Sequence, residues 1–153
     1  MKLTLTSTAF SDGEIIPRLH TGDGKDLSPP LRWNCLPDGT KSFALLCDDP
    51  DAPRGIWVHW VLFNLSPETR ELPEGLPARE NLPGGARQGK NDFGNTGYGG
   101  PAPPKGKPHR YFFKLYALDT MLELPAGATK AQVVSALTRH IIAETQIVGK
   151  YAR

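Results

Sequence analysis

Apolar residues fall along this chain in short, interrupted blocks. Leu3, Leu5 and Ala9 alternate with threonines, the period-two signature of a short strand. Residues 11–30 are turn-rich, with several Gly and Asp. Leu31 and Trp33 then point one way before a turn at Pro37-Asp38-Gly39. Ser42 to Cys47 (SFALLC) and Tyr111 to Leu118 (YFFKLYAL) read as strands bounded by turn residues. Ile56 to Leu65 (IWVHWVLFNL) is apolar on both faces, as a central strand covered on both sides would be. Periodicity alone leaves a helix open there, but the Trp, Val and Phe content favours a strand. Between Ser66 and Lys107 the pattern is nearly all loop, and loops of such length in compact domains are usually functional. The helical signal comes late. Thr129 with Gln132 makes a capping box, and Val133, Val134, Leu137 and Ile141 recur at helical spacing. This predicts a helix over residues 129–143. The tail TQIVGKYAR either extends it or forms a last strand, and Gly149 weakens the helical choice.

At 153 residues the chain is long enough for one domain, spanning 1–153, with a real hydrophobic core. Sixteen glycines and fifteen prolines account for a hydrophobic fraction of only 39% and imply extensive loops. Eighteen basic against sixteen acidic residues leave +2, which offers no case for nucleic acid. The start MKLTLTSTAF lacks the apolar core of a signal peptide, and no stretch is long enough to cross a membrane. The expected location is therefore cytoplasmic, with Cys35 and Cys47 as reduced thiols. Two cysteines alone give no metal-site spacing, and no cofactor motif is present.

Three clusters could carry chemistry. Asp48-Asp49-Pro50-Asp51-Ala52-Pro53 follows a strand, and its prolines force a stiff turn bearing carboxylates. By itself it also reads as a solvated acidic turn. Trp57-Val58-His59-Trp60 places an imidazole in an apolar strand, where it must find a partner. Period two puts Trp57 and His59 on one face, and Val58 and Trp60 on the other. A core histidine bonded to backbone would explain it equally well. The glycine- and proline-rich loop from Gly97 leads into His109-Arg110-Tyr111, where His109 and Tyr111 face the same way. An exposed PxxP-like loop read by a partner domain is the other reading. Together the clusters supply carboxylates, two imidazoles, a phenol and an indole wall. Imidazolium and phenol can hold a phosphate or carboxylate, and a carboxylate can orient a histidine.

In this order the motifs resemble the phosphatidylethanolamine-binding protein family, specifically its bacterial Raf-kinase-inhibitor-like branch. The resemblance runs through Ser28 to Trp33, DPDAP at Asp49 to Pro53, Trp57 to Trp60, Gly89 to Gly94, the GYGGPAPP loop and His109 to Tyr111. It implies a mainly β fold: a large central antiparallel sheet packed on a smaller one, with few peripheral helices, and the tail TQIVGK as a strand. It implies an anion pocket built by Asp49, Trp57, His59, Gly100, Pro103, Pro104, His109 and Tyr111. The chain departs from eukaryotic relatives in the short Arg54-Gly55-Ile56 segment and the extra Pro101-Ala102. Their long C-terminal extension has no counterpart here.

The expected function is a non-enzymatic protein binding a small anion: phosphate, carboxylate or a phospholipid head-group-like unit. At least one pocket imidazole would be cationic in that complex. Such a protein could regulate or inhibit a partner kinase or protease, and the long loop offers a surface for it. The alternative is a metal-dependent or acid–base hydrolase using Asp49, His59 and His109, although no nucleophile or paired-ligand motif appears. The apolar surplus around Trp60 and Val61 suggests a homodimer, and the prolines near the pocket suggest a cis X–Pro bond.

Overall fold

The computed structural model describes residues 2–153. Its strands are β1 (Thr4–Thr6), β2 (Leu31–Asn34), β3 (Ser42–Asp49), β4 (Trp57–Leu65), β5 (Glu71–Leu72), β6 (Arg87–Gln88), β7 (His109–Leu118) and β8 (Ile141–Tyr151). One helix, α1 (Lys130–Leu137), precedes β8. The strands form two antiparallel sheets, a five-stranded one in the order β6-β4-β3-β7-β8 and a three-stranded one in the order β1-β2-β5.

All eight residues of β3 are buried, which explains the continuous apolar run from Phe43 to Cys47. Leu45 and Cys47 face the smaller sheet together with Trp60, Leu62, Phe113 and Leu115; Leu5, Leu31, Trp33 and Leu72 meet them from the other side. On the opposite face, Ala44, Leu46, Val61 and Phe63 are covered by Val133 and Leu137 of α1. The large sheet is thus sandwiched, and the β1 alternation survives because only Leu3 and Leu5 turn inward.

Strand β4 carries two irregularities against β3. Cys47 pairs with Trp60 while Asp48 pairs with Val58, leaving His59 as an extra residue. The bulge swings His59 and Trp60 toward the same side, so the expected sharing of a face by Val58 and Trp60 does not occur. The second bulge contains Asn64, held at φ 57°.

The helix is shorter than its periodicity predicts. The capping box of Thr129 and Gln132 is present, with Gln132 N–H donating to Thr129 Oγ1 and Thr129 N–H to Gln132 Oε1. The helix ends at Leu137, and residues 141–143 belong to β8. The edge of β7 offers ladder partners to the whole segment from Ile141, and the β-branched Ile141 and Ile142 suit a strand better than a helix end. Gly149 is explained by packing, because a Cβ there would collide with the Ile16 side chain. Residues 66–107 are mostly loop, but β5 and β6 attach them to β2 and β4. Among the described residues no peptide bond is cis, which overturns that expectation. None of their helices is long and apolar enough to cross a membrane.

Candidate functional site

Antiparallel order sets the site. The C-terminal end of β3 lies beside the starts of β4 and β7, so Asp49, His59, His109 and Tyr111 meet at one end of the central strands. Asp49 is paired with Trp57 in register and is buried. Its Oδ1 accepts the Asp51 N–H at 2.7 Å, closing the turn that the prolines stiffen. Its Oδ2 accepts from His109 Nδ1 at 2.7 Å. Asp51 receives the Arg110 backbone N–H, Nε and Nη2, each at 2.9 Å, which ties the DPDAP loop to β7. The Arg110 guanidinium holds the Asp51 carboxyl down to about 2.

His59 is 3% exposed. Its Nδ1 donates to the Gly99 carbonyl, and the Gly99 N–H returns a bond to the His59 carbonyl at 2.9 Å. Tyr111 and Phe93 meet the ring edge-on at 5.1 and 5.5 Å. Burial pushes the imidazole pKa down, outweighing the Gly99 bond and the nearby Asp49, Asp26 and Asp48, which favour the charged form. Burial also pushes the Tyr111 hydroxyl up, so it remains a protonated donor.

The cavity has a volume of about 200 Å³. Asp49, Trp57, His59, Pro103, Pro104, His109 and Tyr111 line it, so these expected residues converge. Gly100 does not line it. Its N–H donates to Asp26 Oδ1 at 2.8 Å, and a Cβ there would meet Asp26 and the His20 carbonyl. Gly100 is glycine because the backbone packs tightly behind the site, which is a supporting role. Ala52, Pro53, Ala102 and Phe93 complete the wall, and sequence reasoning missed all four. Phe93 had a signal: it is an aromatic within a turn-rich segment. Asn91 Oδ1 accepts the N–H groups of Phe93 and Asn95, and Asp92 Oδ2 accepts the Val58 N–H at 2.7 Å. The Asn91 bonds close the turn, the Asp92 bond staples it to β4, and Phe93 is presented over Trp57 at 5.4 Å between rings.

Three polar atoms at the cavity have no hydrogen-bond partner among the described residues: His59 Nε2, His109 Nε2 and the Tyr111 hydroxyl. None is sealed from solvent, since the one buried side-chain nitrogen or oxygen left unpaired among those residues is Trp33 Nε1. The site therefore has a rigid outer frame and free inward-facing groups. Those residues also contain no group of three or more His, Cys, Asp or Glu side chains placed to hold a metal ion.

Comparison with known proteins agrees with this architecture. The phosphatidylethanolamine-binding protein family profile matches residues 6–152. A UPF0098 protein of Methanothermobacter thermautotrophicus is 49% identical over 151 residues, covering 99% of each chain. The UPF0098 protein YbhB of Escherichia coli is 41% identical over 158 residues, covering 98% of this chain and all of its own. The crystal structure of Escherichia coli YbcL, described as a member of the mammalian PEBP family, superposes with a TM-score of 0.92 at 38% identity, covering 100% of this chain and 99% of its own. With the profile, the relatives and the two-sheet fold in accord over nearly the whole length, this chain belongs to the phosphatidylethanolamine-binding protein family.

Proposed function

We propose that this protein is a non-enzymatic binding protein for small anions: a phosphate, a carboxylate or a phospholipid head-group-like unit. The observation that carries this reading is the pairing of a free Tyr111 hydroxyl with a free His109 Nε2 at one small cavity, while Asp49 holds the other nitrogen of His109. In the complex a His109 imidazolium would lie between the Asp49 carboxylate and the bound anion, donating to both. The cavity is smaller than the roughly 300–1,000 Å³ typical of drug-sized ligands. It suits a single anionic group rather than a whole lipid. A partner kinase or protease that presented a phosphoryl or carboxylate group would be read through the same atoms.

Binding is favoured over covalent hydrolysis by the lining itself: no Ser, Thr, Cys or Lys among the described residues lines the cavity, and both Asp49 oxygens are occupied in holding the frame. Titration of inorganic phosphate by calorimetry tests the reading. His109→Ala should weaken binding by roughly 1.5–3 kcal/mol, the range for a charge-assisted bond. His140, exposed and paired with Asp119 away from the cavity, is the control, and His140→Ala should bind normally. Equal phosphate binding by the two variants would overturn the assignment.

A further inference from the structure

His59 differs from its two partners in the cavity. A carbonyl oxygen can only accept, so the bond to Gly99 requires a proton on Nδ1. The ring is buried between Phe93 and Tyr111, and the bond from the Gly99 N–H to the His59 backbone carbonyl fixes the Gly99 carbonyl that the ring reaches. A neutral ring in this orientation offers a lone pair at Nε2, not a hydrogen. The groups facing it are Asp49 at the end of β3, Asp26 in the loop under Gly100, and His109 and Tyr111 on β7, while Asp48 acts from the other face of the sheet, where it pairs with Lys114 and Lys130. A fully deprotonated oxyanion placed against that lone pair would meet an acceptor with an acceptor.

We propose that the cavity selects a ligand that carries its own proton: the P–OH of hydrogen phosphate, or of a phosphomonoester monoanion, donates to His59 Nε2 while Tyr111 donates to an unprotonated oxygen. This rests on the anion-binding reading above and narrows it. Among common oxyanions, phosphates keep a hydroxyl near neutral pH, whereas sulfates and carboxylates do not. His59 is thus the specificity-determining residue, and it separates phosphate from sulfate by hydrogen-bond direction rather than by charge. Sites built to pair a ligand hydroxyl reject analogues lacking it, because the site's polar atom is then left unmatched.

Methyl phosphate and methyl sulfate supply the test. Near pH 6 about half of methyl phosphate is a monoanion with one P–OH, since its second ionisation lies at about that pH. Methyl sulfate is a monoanion of similar shape with no proton. Calorimetry on the intact protein at pH 6 should show methyl phosphate binding roughly tenfold or more tightly. The ratio of the two affinities should fall by pH 8 as methyl phosphate loses its proton. Taking the ratio cancels any titration of the protein common to both ligands. Nitrogen-15 spectra of histidine-labelled protein should show His59 Nε2 unprotonated in the methyl phosphate complex. Equal binding of the two esters, or a protonated His59 Nε2 in the complex, would overturn the inference and leave the anion site standing. No binding of either ester would overturn both.

Discussion

His59 and Gly99 clasp one another twice, ring to carbonyl and N–H to carbonyl, although they stand 40 positions apart. The clasp docks the glycine-rich loop on the bulge of β4, and it holds a neutral ring in a buried place. A pH dependence of stability follows. The unfolded chain protonates His59 near 6.5, but the folded chain resists until lower pH because burial opposes the charge. The unfolded state then binds more protons, so stability falls as pH drops below 6.5 and continues falling until the folded ring titrates. Urea unfolding from pH 7.5 to 5 should show a slope in the native chain that His59→Gln reduces, by at most about 1.4 kcal/mol per pH unit. Identical slopes would mean that the ring is already charged in the fold.

The Asp51–Arg110 pair has the opposite chemistry and the same direction of pH effect. Arg110 depresses the Asp51 pKa from 3.8 to about 2, so the stabilisation is present above 3.8 and is lost as pH falls through about 2. Both side chains are partly exposed, so the contribution should be about 1 kcal/mol or less. Asp51→Asn should flatten the acid limb of an unfolding titration in that window. An unchanged acid limb would show that the pair adds nothing to the loop's attachment.

Gly149 on β8 has no room for a side chain. An added Cβ would collide with Ile16 and lie 2.9 Å from Phe10 Cε2. Gly149→Ala should destabilise by about 1–3 kcal/mol, the range for overpacking. In an Ile16→Ala background the same substitution should cost less, and denaturant unfolding of the four proteins measures the difference. Additive losses would locate the strain elsewhere.

Asn64 combines a left-handed backbone with two bonds to Leu122: its Nδ2 donates to the carbonyl at 2.9 Å, and the Leu122 N–H donates to its Oδ1 at 2.8 Å. Asn64→Ala should lose about 3 kcal/mol or more, since two buried backbone groups go unpaired and φ becomes strained. Asn64→Gly should recover about 1 kcal/mol of that by relieving the backbone alone. Equal melting of the two variants would assign the whole effect to the hydrogen bonds.

Much of the architecture was legible because its signals are local. SFALLC and WVHWVLFNL are almost continuously apolar, as strands buried on both faces must be, whereas YFFKLYAL buries alternate residues until its end. The capping box depends on residues only three apart, so Thr129 marked the helix start correctly. The helix end was not legible. Ile141 continues the helical stripe in sequence, yet it pairs with Leu118 in a ladder that the composition of residues 129–143 does not display.

The site divides in the same way. Asp49, His59, His109 and Tyr111 are chemically distinctive types within distinctive motifs, and the chain by itself singled out residues that line one cavity. Tertiary structure decided how each one is held. His59 keeps Nε2 free because its Nδ1 meets a carbonyl 40 residues away, at a register shift against β3. Gly100 became a support because Asp26, 74 residues away, occupies the space a side chain would need. Spacing along a chain reports only near neighbours, whereas hydrogen-bond direction and steric exclusion depend on partners that folding alone brings within reach.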